Sequence, residues 1–282
     1  MSSIDNIVLR YDRRRIGRLR HWLGNDLCEV AADYILDHSN TVLINTGFVV
    51  ANAQRPETDG PPGAVTLGQA LGRLGYDVQF VTDDRCAEMM EMIVPKATVH
   101  VMPTDIDDVS VQRFAQSILY AADPSLLLAV ERCGPDRDGK YLQFDGTDIT
   151  EMTGKTDRLF GQGIPSIGFI DGGNEIGVGS VAQHVADVSG LPASPCIVAT
   201  DRVVLGSVVN WACYGVIAAL SLRTGFNLLP SIAEETRLRE DVVRAGAVEG
   251  ESGERIPAVD GIPSELNSLI LKSLHHEVER EL

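Results

Sequence analysis

Short runs of β-branched and aliphatic residues recur along the chain, each followed by a Gly, Asp or Thr turn and then by a longer stretch whose apolar positions have helical spacing. The runs predict strands at 41–46, 78–82, 98–102, 126–130, 166–170 and 197–199. The stretches between and after them predict helices near 64–74, 84–94, 108–121, 149–162, 178–188, 205–222, 231–244 and 263–280. Within the strand runs the apolar residues are consecutive and do not alternate with polar ones, the pattern of strands buried on both faces. Strand and helix in regular alternation imply parallel strands joined by right-handed crossovers. The expectation is an open, mainly parallel, Rossmann-like α/β sheet with helices on both faces. One domain is expected over 1–282, opening with a helical segment at 1–38. Residues 245–263, rich in Gly, Glu and Pro, are the clear loop excursion, either a mobile surface loop or a lid.

A chain of 282 residues that is 44% hydrophobic can bury a large core without disulfides. Its 24 basic and 40 acidic residues give a formal charge of −16, which repels phosphate backbones and anionic lipid, so neither nucleic acid nor a membrane is an expected partner. Arg10, Arg13, Arg14, Arg15, Arg18 and Arg20 form a local exception. They read first as an N-terminal helix with a solvated or subunit-bridging face, and second as an RNA-binding or targeting segment. The longest apolar stretch, 203–222, contains Gly206, Ser207, Asn210 and Gly215. It reads as a buried helix, not a membrane span, and makes a homo-oligomer reasonable. Five scattered cysteines without C-x-x-C spacing fit reduced thiols in the cytoplasm, and the six dispersed histidines disfavour zinc.

In open parallel sheets, ligands bind beyond the carboxyl ends of the strands. After the first strand come Thr46 and Gly47, then Glu57-Thr58-Asp59-Gly60-Pro61-Pro62-Gly63, which opens a helix. That segment suits an anion or a bridged metal, or is a capping turn without function. The second strand ends in Thr82-Asp83-Asp84, read as structural capping. The fourth ends in Glu131-Arg132, where the guanidinium grips a carboxylate substrate or simply closes an ion pair in its loop. The fifth ends in Asp171-Gly172-Gly173-Asn174-Glu175-Ile176-Gly177, whose glycines permit close backbone approach and whose acids and amide supply hard oxygen ligands or a proton acceptor. Asp145, Asp148 and Asp201 rank behind these. Neither G-x-G-x-x-G nor a Walker A loop is present, so no nucleotide cofactor is expected. On residues alone the chain is a metal-assisted or carboxylate-handling enzyme, or a binding module with the same cleft.

Four separated segments, in order, resemble the D-glutamate cyclase C-terminal domain family: LINTGF; ETDGPPGAVTLGQAL with VTD; AVERCGPDRDGKYLQFDGTDIT; and IPSIGFIDGGNEIGVG. They span roughly 41–180. Cys133 stands where the family's pattern has proline, Leu142-Gln143-Phe144 replaces a Tyr-Asn-Met-like run, and Val178 replaces methionine. Some members carry a further N-terminal domain, which this chain is expected to lack. The resemblance implies a carbon–oxygen hydro-lyase that closes D-glutamate to 5-oxo-D-proline. The alternative is a metal-dependent hydrolase or a carboxylate-binding protein using the same cleft. Lactam formation needs a neutral amine and an electrophilic γ-carboxylate. With the resemblance, that assigns Glu175, Asp171 and Glu131 to catalysis. It assigns Arg132, Gly172, Gly173, Asn174, Thr46 and Gly47 to substrate binding, and Glu57, Asp59, Glu131 and Asp171, with Glu175 as a further candidate, to Mg²⁺ or Mn²⁺.

Overall fold

The computed structural model describes residues 3–282. Helices α1 (Ser3–Val8), α2 (Arg20–Leu23) and α3 (Leu27–Leu36) precede strand β1 (Thr41–Thr46). A two-strand antiparallel ribbon, β2 (Val49–Val50) and β3 (Arg55–Pro56), follows. Then come α4 (Pro61–Arg73), β4 (Asp77–Asp83), α5 (Ala87–Ile93), β5 (Val99–Met102), α6 (Asp108–Ala122), β6 (Leu126–Val130), β7 (Ser166–Ile170), α7 (Ala182–Val185), β8 (Arg202–Leu205), α8 (Val209–Thr224), α9 (Ile232–Arg244) and α10 (Ser264–Glu281).

The main sheet has the order β5-β4-β1-β6-β7-β8, and every pairing in it is parallel. The chain thus winds outward from β1 to one edge, returns, and winds from β6 to the other. The point of reversal lies between β1 and β6, where the crevice of such a sheet opens. Val42, Ile44, Leu126, Leu128 and Val130 pack on one face with α1, α3, α4 and α8, while Leu43, Leu127 and Ala129 pack with α6 on the other. That is the two-residue side-chain period of a strand buried on both sides.

Three expectations are corrected. Residues 197–199 are not the sixth strand; Ala199 makes only isolated bridges to Gly177 and Val178, and the edge strand is β8. The apolar run of β8 continues toward α8, so most of the strand was absorbed into the apolar stretch 203–222 that reads as one buried helix. Over 149–162 the chain makes two 3₁₀ turns, Thr150–Met152 and Thr156–Leu159, interrupted at Gly154. Over 178–188 only the four-residue α7 is helical. In both segments the peptides bond to loops: Gly177 and Gly179 both donate to the Val198 carbonyl.

α8 is buried on all sides against α1, α3, α4 and α10. Its apolarity therefore serves the interior of the chain and offers no subunit face. No helix of the described residues is long and apolar enough to cross a membrane.

Candidate active site at the sheet's point of reversal

Each acid at the reversal point is set by a local backbone device. Glu131 directly follows β6 and has φ 46°, a left-handed conformation costly for a side chain with a Cβ. Gly60 accommodates it: a Cβ there would lie 2.5 Å from the Glu131 Cβ. Asp59 accepts hydrogen bonds from the amides of Gly60, Val209 and Asn210 at 2.8–2.9 Å, so its carboxylate caps the N-terminus of α8 from another part of the chain. Asp171 follows β7. Residues 245–263 are stitched to the end of β3 by the Thr58 amide on the Val248 carbonyl at 2.9 Å and the Thr58 hydroxyl on the Ala258 carbonyl at 2.8 Å. This segment brings a further acid, Asp260, to the cluster.

Asp59, Asp171 and Asp260 have ligand oxygens within 4.8 Å of one another, as do Glu131, Asp171 and Glu175. Glu57 neighbours Asp260, whose charge acts on it. Into this set of six carboxyls the chain inserts Arg14, whose Nη1 lies 2.6 Å from Asp171 Oδ1 and 2.9 Å from Asp260 Oδ2. A cavity of about 740 Å³ opens over the cluster, lined among others by Arg14, Phe48, Glu57, Glu131, Phe144, Asn174 and Asp260.

Burial and mutual repulsion push Glu57, Asp59, Glu131 and Asp171 toward their neutral forms. Glu57 is raised well above the usual carboxylate range by burial, then by Asp260 and Asp59, with Arg14 opposing. Burial followed by Asp171 and Glu175 does the same to Glu131. Asp171 is raised by burial despite Arg14. Asp59 is raised to about 7 by burial and Asp260, against the three amides that stabilise its anion. Burial would lower Arg14, yet Asp171 and Asp260 more than compensate and hold it charged.

Three buried oxygens here have no hydrogen-bond partner: Glu131 Oε2, Asp171 Oδ2 and Thr46 Oγ1. Unpaired buried oxygens from an all-oxygen set fit a hard divalent cation such as Mg²⁺ or Mn²⁺. The guanidinium already serves the Asp171–Asp260 side, so the Glu131–Asp171 side is the one open to a cation.

The structure brings Glu57, Asp59, Glu131, Asp171 and Glu175 together, but it engages several predicted groups elsewhere. Arg132 does not face the cavity. It is buried, with Nε on Thr156 Oγ1 at 3.0 Å and Nη2 on Asp83 Oδ2 and the Gly154 carbonyl, both at 2.6 Å, while Nη1 donates to the Gly47 carbonyl. The expected grip on a substrate carboxylate is corrected accordingly, since four protein partners leave that guanidinium no free edge. Gly172 and Gly173 donate their amides to Glu175 at 2.6 and 2.7 Å, and the Asp171 amide reaches the same carboxylate at 3.2 Å. These amides and Glu175 therefore satisfy one another. Asn174 lines the cavity while its amide group donates to the Leu142 carbonyl at 3.0 Å.

Asp83 is structural, accepting from the amides of Arg85 and Cys86 as well as from Arg132. Asp145, Asp148 and Asp201 bond to nearby backbone amides, at Thr147, Thr150 and Ser166.

Sequence reasoning missed Arg14 and Asp260. The arginine run is not a continuous helix: α1 ends at Val8, Tyr11 and Arg15 have left-handed φ of 61° and 64°, and Asp12 accepts from the amides of Ile16 and Gly17 at 2.9 Å. This bend turns Arg14 inward. The one sequence signal for Asp260 was its Asp-Gly turn pair between the short apolar runs at 256–259 and 262–263.

Residues 9–275 match the family described as D-glutamate cyclase-like, C-terminal. The chain is also 30% identical over 286 aligned residues to the D-glutamate cyclase, mitochondrial, of Homo sapiens. The alignment covers 86% of this chain and 46% of the relative, so the chain spans about half that protein's length.

Proposed function

The chain belongs to the D-glutamate cyclase-like, C-terminal family, and from that premise we propose that it closes glutamate, in its D form, to 5-oxoproline with loss of water. In this reaction the α-nitrogen bonds to the γ-carboxyl carbon, one γ-oxygen departs, and two of the three ammonium protons are given up and leave with that oxygen as water. The observation that carries the reading is the clustering of Glu131, which lines the cavity, with Asp171, each carrying a buried oxygen without a partner.

In its ionised form either carboxylate is a strong base toward an ammonium proton, because burial and like charge have raised both carboxyls. Glu57, raised by burial and by the neighbouring Asp260, is the protonated carboxyl that can deliver a proton to the departing oxygen. Asp59, held by three amides, fixes the floor of the site. Glu131 and Asp171 would hold Mg²⁺ or Mn²⁺, with Glu57 and Asp59 alongside. When bound, the cation neutralises the clustered negative charge and makes the γ-carboxylate electrophilic. The five cysteines are free and buried, which fits a reducing compartment such as the cytoplasm.

The test is incubation of purified protein with D- and with L-glutamate, with and without Mn²⁺, and detection of 5-oxoproline. Turnover of D-glutamate is expected, lowered by ~10²-fold or more in Asp171→Asn at an unchanged fold. Absence of 5-oxoproline in every arm overturns the cyclase reading, and binding without turnover would make the chain a carboxylate-binding protein.

A further inference from the structure

Arg14 lines the cavity and spends only part of its donor fork on its own chain. Its Nη1 serves both Asp171 and Asp260, whereas Nε and Nη2 make no hydrogen bond among the described residues. The side chain retains 20% exposure and lines the cavity, with Cζ 4.7 Å from the centroid of the Phe144 ring. Packing against that ring and anchorage on two carboxylates fix the guanidinium plane. The Nε–Nη2 edge is thereby a preorganised bidentate site for a planar anion.

The other groups that sequence reasoning assigned to a carboxylate are occupied: Arg132 by Asp83, Gly47, Gly154 and Thr156, and the amides of Gly172 and Gly173 by Glu175. An α-amino acid carries its ammonium and its α-carboxylate on one carbon. Arg14 and Asp171 are a matching pair, a guanidinium and a carboxyl group in contact at 2.6 Å, with the open oxygen of Asp171 on that same carboxyl group.

Resting on the cyclase reading, we propose that Arg14 holds the substrate's α-carboxylate through its Nε–Nη2 edge and is the residue that restricts the site to amino acids with a free α-carboxylate. The amine then lies at Asp171 and Glu131, and the γ-carboxyl group folds back toward the same carbon's nitrogen. The N-terminal arm, and not the loop after β6, is the specificity element.

The experiment compares glutamate with its α-amide, which keeps the amine, the chain length and the γ-carboxylate and neutralises only the group assigned to Arg14. Calorimetry on the parent, Arg14→Gln and Arg14→Lys measures both ligands in both enantiomers. The parent is expected to prefer glutamate over its α-amide by ~10–100-fold, the range of charge-assisted hydrogen bonding. That preference should vanish in Arg14→Gln. Arg14→Lys keeps a positive charge opposite Asp171 and Asp260, and with it the fold, but lacks the fork, so it should lose most of the preference.

A parent that does not discriminate, or that binds neither ligand, overturns the proposal. So does a variant that weakens both ligands equally, since that is the mark of an arginine that only positions Asp171 and Asp260. Should Arg14→Gln fail to give a cooperative melt, Arg14→Lys decides alone by the same ratio. Lactam formation is followed separately: a parent that discriminates in binding but forms no 5-oxoproline keeps the Arg14 assignment and sinks the cyclase reading.

Discussion

Glu175 and Glu131 are neighbouring acids in one cluster, yet they differ in what their oxygens have left to do. Both Glu175 oxygens are committed to the amides of its own turn, with Gly173 in a left-handed φ of 106° so that the peptide can point inward. Glu131 instead spends backbone strain, φ 46°, to aim a carboxylate whose Oε2 has no partner. Glu175→Gln should therefore act first on stability, because the amide group turns an N–H donor toward a backbone donor that has lost its acceptor. A loss of ~1–3 kcal/mol is expected, seen as a lower melting temperature, with activity per folded molecule falling less than in Asp171→Asn. An unchanged melt with collapsed turnover would return Glu175 to the chemistry. The Gly-Gly-Asn-Glu pattern marked this turn as special, but which acid faces inward to the backbone and which faces the cavity depends on dihedral angles that composition does not encode.

At the scale of elements, Arg132 ties the end of β6 to the end of β4 through Asp83 and to the 3₁₀ turn through Thr156 and Gly154. Arg132→Met should cost about 3–5 kcal/mol, since it leaves Asp83 buried without its cation. Chemical denaturation measures this, and the Michaelis constant of the folded fraction should stay near the parent's. A raised Michaelis constant at parental stability would restore Arg132 as a substrate residue. Of the five strands from 41–46 through 166–170, β1, β6 and β7 were legible because a run buried on both faces is apolar whatever it packs against, and the partly buried β4 and β5 because valines recur in them between turns. The sixth was not: β8 and α8 are both mainly apolar, and a switch of period between two such elements leaves little trace. The segment 197–199 misled for the converse reason, being apolar yet bridging to Gly177 and Val178 outside the sheet.

For the whole molecule, collecting six acids against one guanidinium makes stability depend on pH. Asp59 moves from 3.8 to about 7 on folding, so between those values the folded state holds a proton that the unfolded chain releases, and each unit of rising pH removes about 1.4 kcal/mol. Glu57, Glu131 and Asp171 shift in the same direction. In chelator, the melting temperature should accordingly fall from about pH 5 toward pH 8, and added Mn²⁺ should flatten the decline. A melting temperature that is level or rises across that range in chelator would mean that the buried acids are not protonated there. The open parallel sheet, the helices on its faces and the acid-bearing strand ends followed from the sequence itself, because hydrophobic period and turn chemistry are local properties. The tertiary structure decided the rest: that Arg132 turns inward, that Arg14 crosses to Asp171 from 157 positions away, and that Asp260 closes the cluster. Side chains so far apart in the chain meet only through packing, and no local pattern records which of several charges a fold will bring face to face.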